Sequence, residues 1–197
     1  MSSGVTRRDA LRRLVTGGAA AATLPVWVEH LLAVADEHAA HQRTAAATAS
    51  WKPKVLDAHQ NETVVVLTEL IIPETDTPGA RAAKVNEYID SVLADASPAD
   101  RDGFGQGLAW LDARSQQQFN TRFIDASPER QIELLTFLST TTTPSSGDRQ
   151  GIEFFQALKG LTISGYYTSE AGLMEELGDP FTLFATEFKG CTHPEHL

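Results

Sequence analysis

The chain has 197 residues, of which 42% are apolar, with 16 Lys and Arg against 26 Asp and Glu and a formal net charge of −10. That length suits one domain, and the apolar content is too high for a disordered chain. A surface this acidic repels phosphate backbones and excludes nucleic acid as a partner. The single cysteine, Cys191, excludes an internal disulfide and a four-cysteine iron–sulfur cluster, and the lack of a CxxCH excludes an attached c-type haem.

The charge is uneven along the chain. Arg7, Arg8, Arg12 and Arg13 face only Asp9 in the first 14 residues, which leaves 12 basic and 25 acidic residues for the remainder. Thr6-Arg7-Arg8-Asp9-Ala10-Leu11 resembles the twin-arginine export signal, Ser/Thr-Arg-Arg-x-apolar-Leu, with the small Ala10 where phenylalanine is usual. A mild apolar middle runs from Leu14 to Val28 and Ala33-Val34-Ala35 offers a cleavage site, so residues 1–35 read as an export signal. Two other readings compete: a membrane anchor over Leu14 to Ala35, which Glu29 and His30 interrupt, and a plain basic helix start. Residues 36–54 are rich in Ala, Thr and His, lack helical periodicity and read as a linker or extended arm. Within it Trp51 is costly to leave in water and is expected to dock on something.

Residues 55–197 read as one helical domain. Asp57 with Gln60 three positions on predicts a capping box, and the NETVVVLTELII that follows predicts a helix stopped by Pro73. Val64, Leu67 and Ile71 share one face, widened by Val65, Val66, Leu70 and Ile72, so the helix should be buried. A second helix is predicted over Arg81 to Ala94, with Val85, Tyr88, Ile89, Val92 and Leu93 inward. Ser97-Pro98 and Ser127-Pro128 each place a capping serine before a proline at the first helical position. The third helix carries Phe104, Leu108, Leu111, Phe119 and Phe123 inward, and the fourth carries Ile132, Leu135 and Leu138. After the loop at 140–148, a fifth helix is predicted from Arg149 to Thr162, and the tail from Ser164 is less regular. No stretch alternates like a strand, so the prediction is an all-α fold: a single irregular domain of about five to six helices with an extended N-terminal arm and a C-terminal tail.

Little in this pattern points to chemistry. The GFGQG at 103–107 has neither the GxGxxG spacing nor a preceding strand, so close helix packing explains its glycines better than a nucleotide does. No GxSxG or HExxH occurs, and the carboxylates, Glu74, Asp76, Glu175 and Glu176 among them, default to solvated positions. Cys191, His193 and His196 are the one candidate metal cluster, although a structural zinc takes four ligands and no fourth lies nearby. They leave open a stand-alone periplasmic metal-binding protein or metalloenzyme. Tyr166 and Tyr167 cannot both face one core, so at least one is expected to show its ring outward, as interface tyrosines do.

The twin-arginine start, LTELIIPETDTPGA at 67–80, GYYTSEAGLMEELG at 165–178 and the closing FKGCTHPEHL resemble subunit 3, the small subunit, of membrane-bound gluconate 2-dehydrogenase and related flavin-dependent sugar dehydrogenases. The resemblance implies a subunit with no catalytic residues and no cofactor of its own. Its partner would be a large FAD-bearing flavoprotein of the glucose–methanol–choline (GMC) type, often joined by a multihaem cytochrome c as third subunit. It further implies that the small subunit supplies the signal, read by the twin-arginine translocase through Arg7 and Arg8, for a folded pair bound for the periplasm. There the pair would be held at the cytoplasmic membrane through the complex. Trp51, Ile72, Pro73, Tyr166 and Tyr167 are then the candidate contacts with the large subunit.

Overall fold

The computed structural model describes residues 26–41 and 51–178. The described residues form six α-helices, α1 (Val26–His41), α2 (Ala58–Ile71), α3 (Val85–Asp95), α4 (Pro98–Phe119), α5 (Pro128–Thr140) and α6 (Arg149–Tyr167). A 3-10 turn at Phe123–Asp125 and a π-helical turn at Ala171–Glu176 complete them, and no strand occurs among the described residues. The fold is all-α, as the patterning requires.

Most helix boundaries follow from local chemistry. Asp57 caps α2 as the spacing predicts: its side chain accepts from the Gln60 amide while Gln60 returns a bond to the Asp57 amide. Ser97 accepts from the Asp100 amide with Pro98 in the first turn of α4. Asn120, left-handed at φ 58°, ends α4, so Phe123 reaches the core from the separate 3-10 turn and not from the helix. Ser127 makes no such cap. Glu129 takes over there, its carboxyl accepting first from its own amide and then from the Ser127 hydroxyl, which holds it below the usual carboxylate value.

Three further expectations are corrected. α3 begins at Val85 and not Arg81, because Lys84 adopts a left-handed φ of 56° and residues 81–84 form a turn. In α5 the inward face carries Gln131, Leu134, Leu135 and Leu138, and Ile132 is 54% exposed. Gln131 displaces it because its side-chain amide donates to the buried Phe123 carbonyl at 2.9 Å. α6 continues to Tyr167, five residues past the expected end, since Gly165 lets the Tyr88 ring lie against it. α1 runs unbroken from Val26 to His41.

The long α6 is the hub, with α1 to α5 all packed on it. Phe154, Leu158 and Leu161 are fully buried along it, and each such side chain contributes about 1.5–3 kcal/mol by leaving water. Phe104 of α4 meets Phe154 edge-on at 5.1 Å, and Gly107 makes this possible, since a Cβ there would sit 2.3 Å from the Phe154 ring. The GFGQG segment is thus a helix-packing notch in mid-α4, with no strand before it to aim amides at a phosphate.

One charged group in α6 has a measurable consequence. Burial pushes the Lys159 ammonium below its ordinary value of 10.5. Between that lowered value and 10.5 the unfolded chain binds the extra proton, so stability rises with pH through this window. Lys159→Met is expected to remove that rise, as read from melting curves at about pH 8 and about pH 10.

Candidate functional site

The IIPETDTPGA stretch (71–80) and the GYYTSEAGLMEELG stretch (165–178) are distant in sequence and meet in the fold. α2 ends where Ile72 leaves helical geometry at φ −127° and ψ 84°, one residue before the proline that could not continue it. The chain then loops out and returns, and the Ala80 amide closes the base by donating to the Ile72 carbonyl at 2.9 Å. Glu69, in the last turn of α2, clasps both limbs: Oε1 accepts from the Glu74 amide and Oε2 from the Arg81 amide, each at 2.9 Å. Gly79 gives this carboxylate its space. A Cβ at 79 would lie 2.5 Å from Glu69 Oε1 and 2.5 Å from the Glu74 nitrogen.

The second stretch supports the loop from beneath. α6 ends at Tyr167, where the Thr168 hydroxyl donates back to the Ser164 carbonyl and the Ser169 hydroxyl to the Tyr166 carbonyl. The π-helical turn then folds the chain back so that Glu176 lies over its own tyrosines. Tyr167 donates to Glu176 Oε1 at 2.8 Å. The Tyr166 hydroxyl shares its one proton between the Pro78 carbonyl at 2.7 Å and Glu176 Oε2 at 2.8 Å. Thr77 adds a longer bond to the same carboxylate oxygen at 3.4 Å. The two rings meet edge-on, with centroids 5.2 Å apart. One carboxylate therefore ties the loop, the end of α6 and the π turn together.

This arrangement presents Pro73, Glu74, Thr75 and Asp76 at an exposed tip while the base is buried and bonded. A loop fixed at its root loses little conformational freedom on binding, which suits it to protein contact. Met174 and Leu177, both exposed apolar side chains, lie on the same C-terminal segment. Tyr166→Phe removes the hydroxyl from the Pro78 carbonyl and Glu176, and a loss of about 1–2 kcal/mol is expected in urea denaturation.

The positions singled out from the sequence separate clearly. Pro73 is exposed, Trp51 and Tyr167 are half-buried, and Ile72 is buried at the loop base. Tyr166 has no surface to offer a partner and acts from inside. Arg7, Arg8, Cys191, His193 and His196 lie outside the described residues. Among the described residues no group of three or more His, Cys, Asp or Glu side chains is placed to hold a metal. The sequence reading missed Glu69 and Glu176 as organising residues. The signal for Glu176 was present: two adjacent tyrosine hydroxyls need partners once buried, and a glutamate follows nine and ten residues later.

What fold and site define is a small all-α protein with a surface loop fixed from both sides. The family described as gluconate 2-dehydrogenase subunit 3 matches residues 58–178, and the chain belongs to that family. The matched span opens at the first residue of α2 and closes just after the π turn, so it holds both halves of the site. Comparison with curated proteins and with solved structures found no match.

Proposed function

We propose that this chain is the accessory small subunit of a periplasmic, FAD-dependent sugar or gluconate dehydrogenase, clamped to a GMC-type flavoprotein. In this reading FAD resides in the large subunit, haem c in a cytochrome subunit where one is present, and this chain supplies neither cofactor nor catalytic group. Its Arg7-Arg8 signal takes the large subunit, already folded around its flavin, through the twin-arginine translocase. The complex holds it at the cytoplasmic membrane afterwards; no helix among the described residues is long and apolar enough to cross one.

Membership of the gluconate 2-dehydrogenase subunit 3 family over residues 58–178 carries the reading. The fixed loop supports it, because a preorganised docking element loses less conformational freedom on binding, and the sequence of residues 6–11 supports the export role. The test is a mild pull-down of C-terminally tagged chain from the periplasm of its own host, scanned for flavin and haem absorbance. A larger flavoprotein should co-elute, and both proteins should vanish from the periplasm when Arg7 and Arg8 become lysines. A colourless eluate containing one chain would overturn the assignment.

A further inference from the structure

We propose that α1 is a permanent helix of the folded domain and is retained after export, so that any processing cut falls before Val26 and the Ala33-Val34-Ala35 sequence is not used. This rests on the export role proposed above. The small-residue run Ala19-Ala20-Ala21-Ala22 is the sequence that offers an earlier cut.

The observations concern α1 and the three helices that receive it. Val28, Leu31 and Ala35 are fully buried. Leu32 fills a notch left by Gly160 of α6, where a Cβ would come within 2.5 Å of it, and Trp27 lies against Gly103 of α4. The Tyr88 hydroxyl of α3 donates to the Ala35 carbonyl at 2.7 Å, and His30 Nδ1 stands 3.8 Å from Asp100 Oδ1. α1 lies wholly outside the family match at 58–178, yet it closes the core of the matched domain.

Processing at Ala33–Ala35 would hydrolyse the Ala35–Asp36 peptide bond, water adding to the Ala35 carbonyl carbon under a signal peptidase and the Asp36 nitrogen leaving as an amine. Proteases act on extended, exposed chain. Here the carbonyl to be attacked is inside a helix and already bonded to Tyr88. A twin-arginine substrate reaches the peptidase after folding, when α1 is docked. Cutting there would also strip Val28, Leu31 and Leu32 from the core and leave the Gly160 notch empty.

Two measurements on the full chain test this. The first is the intact mass of chain recovered from the periplasm. A mature N-terminus at or before Val26 is expected, and one at Asp36 would overturn the inference. The second is the melting temperature of Leu31→Ala, independent of export. A fall of about 5–15 °C is expected for a docked helix, or outright failure to fold, and an unchanged Tm would overturn the inference. Glu29→Lys, at an exposed position of the same helix, should leave Tm unchanged. If no chain reaches the periplasm while Leu31→Ala still melts early, the export role fails and the packing of α1 stands.

Discussion

Asp90→Ala is expected to cost about 3–5 kcal/mol and to lower Tm by about 10 °C. Asp90 lies fully buried on α3, and its partners are three consecutive backbone amides of the arm leading into α2. Oδ2 accepts from the Lys54 amide at 2.7 Å, and Oδ1 from the amides of Val55 and Leu56 at 3.0 Å each. Backbone donors cannot be neutralised by a change of side chain, so removing the carboxylate strands all three at once. Leu56 is buried, which denies its amide easy access to water. Asp90→Asn keeps an oxygen for two of the amides and turns an NH2 group on the third, so its cost should be about 1–2 kcal/mol. Urea denaturation with an unchanged m value measures both. An alanine variant no worse than the asparagine one would mean that water replaces the carboxylate, and the arm would not be fixed by Asp90.

The contrast between Asp90 and the capping residues explains what the sequence made legible. Asp57 and Ser97 act within three residues of themselves, so their roles follow from spacing alone, and both helix starts came out correctly. Asp90 acts on residues 34 to 36 positions away, and no local pattern records that. The same holds for Glu69 and Glu176. A glutamate at a helix end looks solvated until the fold brings a returning loop over it. Ile132 and Gln131 make the point in reverse: hydrophobicity assigned the inward position to isoleucine, and the Phe123 carbonyl, which also accepts from the Ala126 amide, took the glutamine instead.

The all-α class and helices α2 to α6 were legible because they depend on periodicity, which belongs to each segment separately. α1 was obscured by a different cause. Its composition of alanine, valine and leucine with few charges serves an export signal and a core-facing helix equally, and only the notch at Gly160 and the Tyr88 hydroxyl distinguish the two. The two stretches behind the family resemblance were visible as motifs, while their meeting through Glu176 was not.

Gly79→Val tests whether the fixed loop is the docking element, and its expected effect is a stability loss of about 2–4 kcal/mol together with a drop of at least about tenfold in flavoprotein capture. The added Cβ would overlap the Glu69 carboxylate and, less avoidably, the Glu74 nitrogen, which belongs to the backbone. Glu69 must swing away and release the Glu74 and Arg81 amides, so the limbs of the loop part at their root. General destabilisation alone could also reduce capture, and Gly107→Ala separates the two effects. Its Cβ would collide with Phe154 in the core between α4 and α6, away from the loop, at a cost of about 1–3 kcal/mol. With capture measured well below both melting temperatures, the Gly107 variant should retain the flavoprotein and the Gly79 variant should lose it. Equal capture by the two would place the contact surface elsewhere on the domain and leave the Glu69 clasp as a purely structural device.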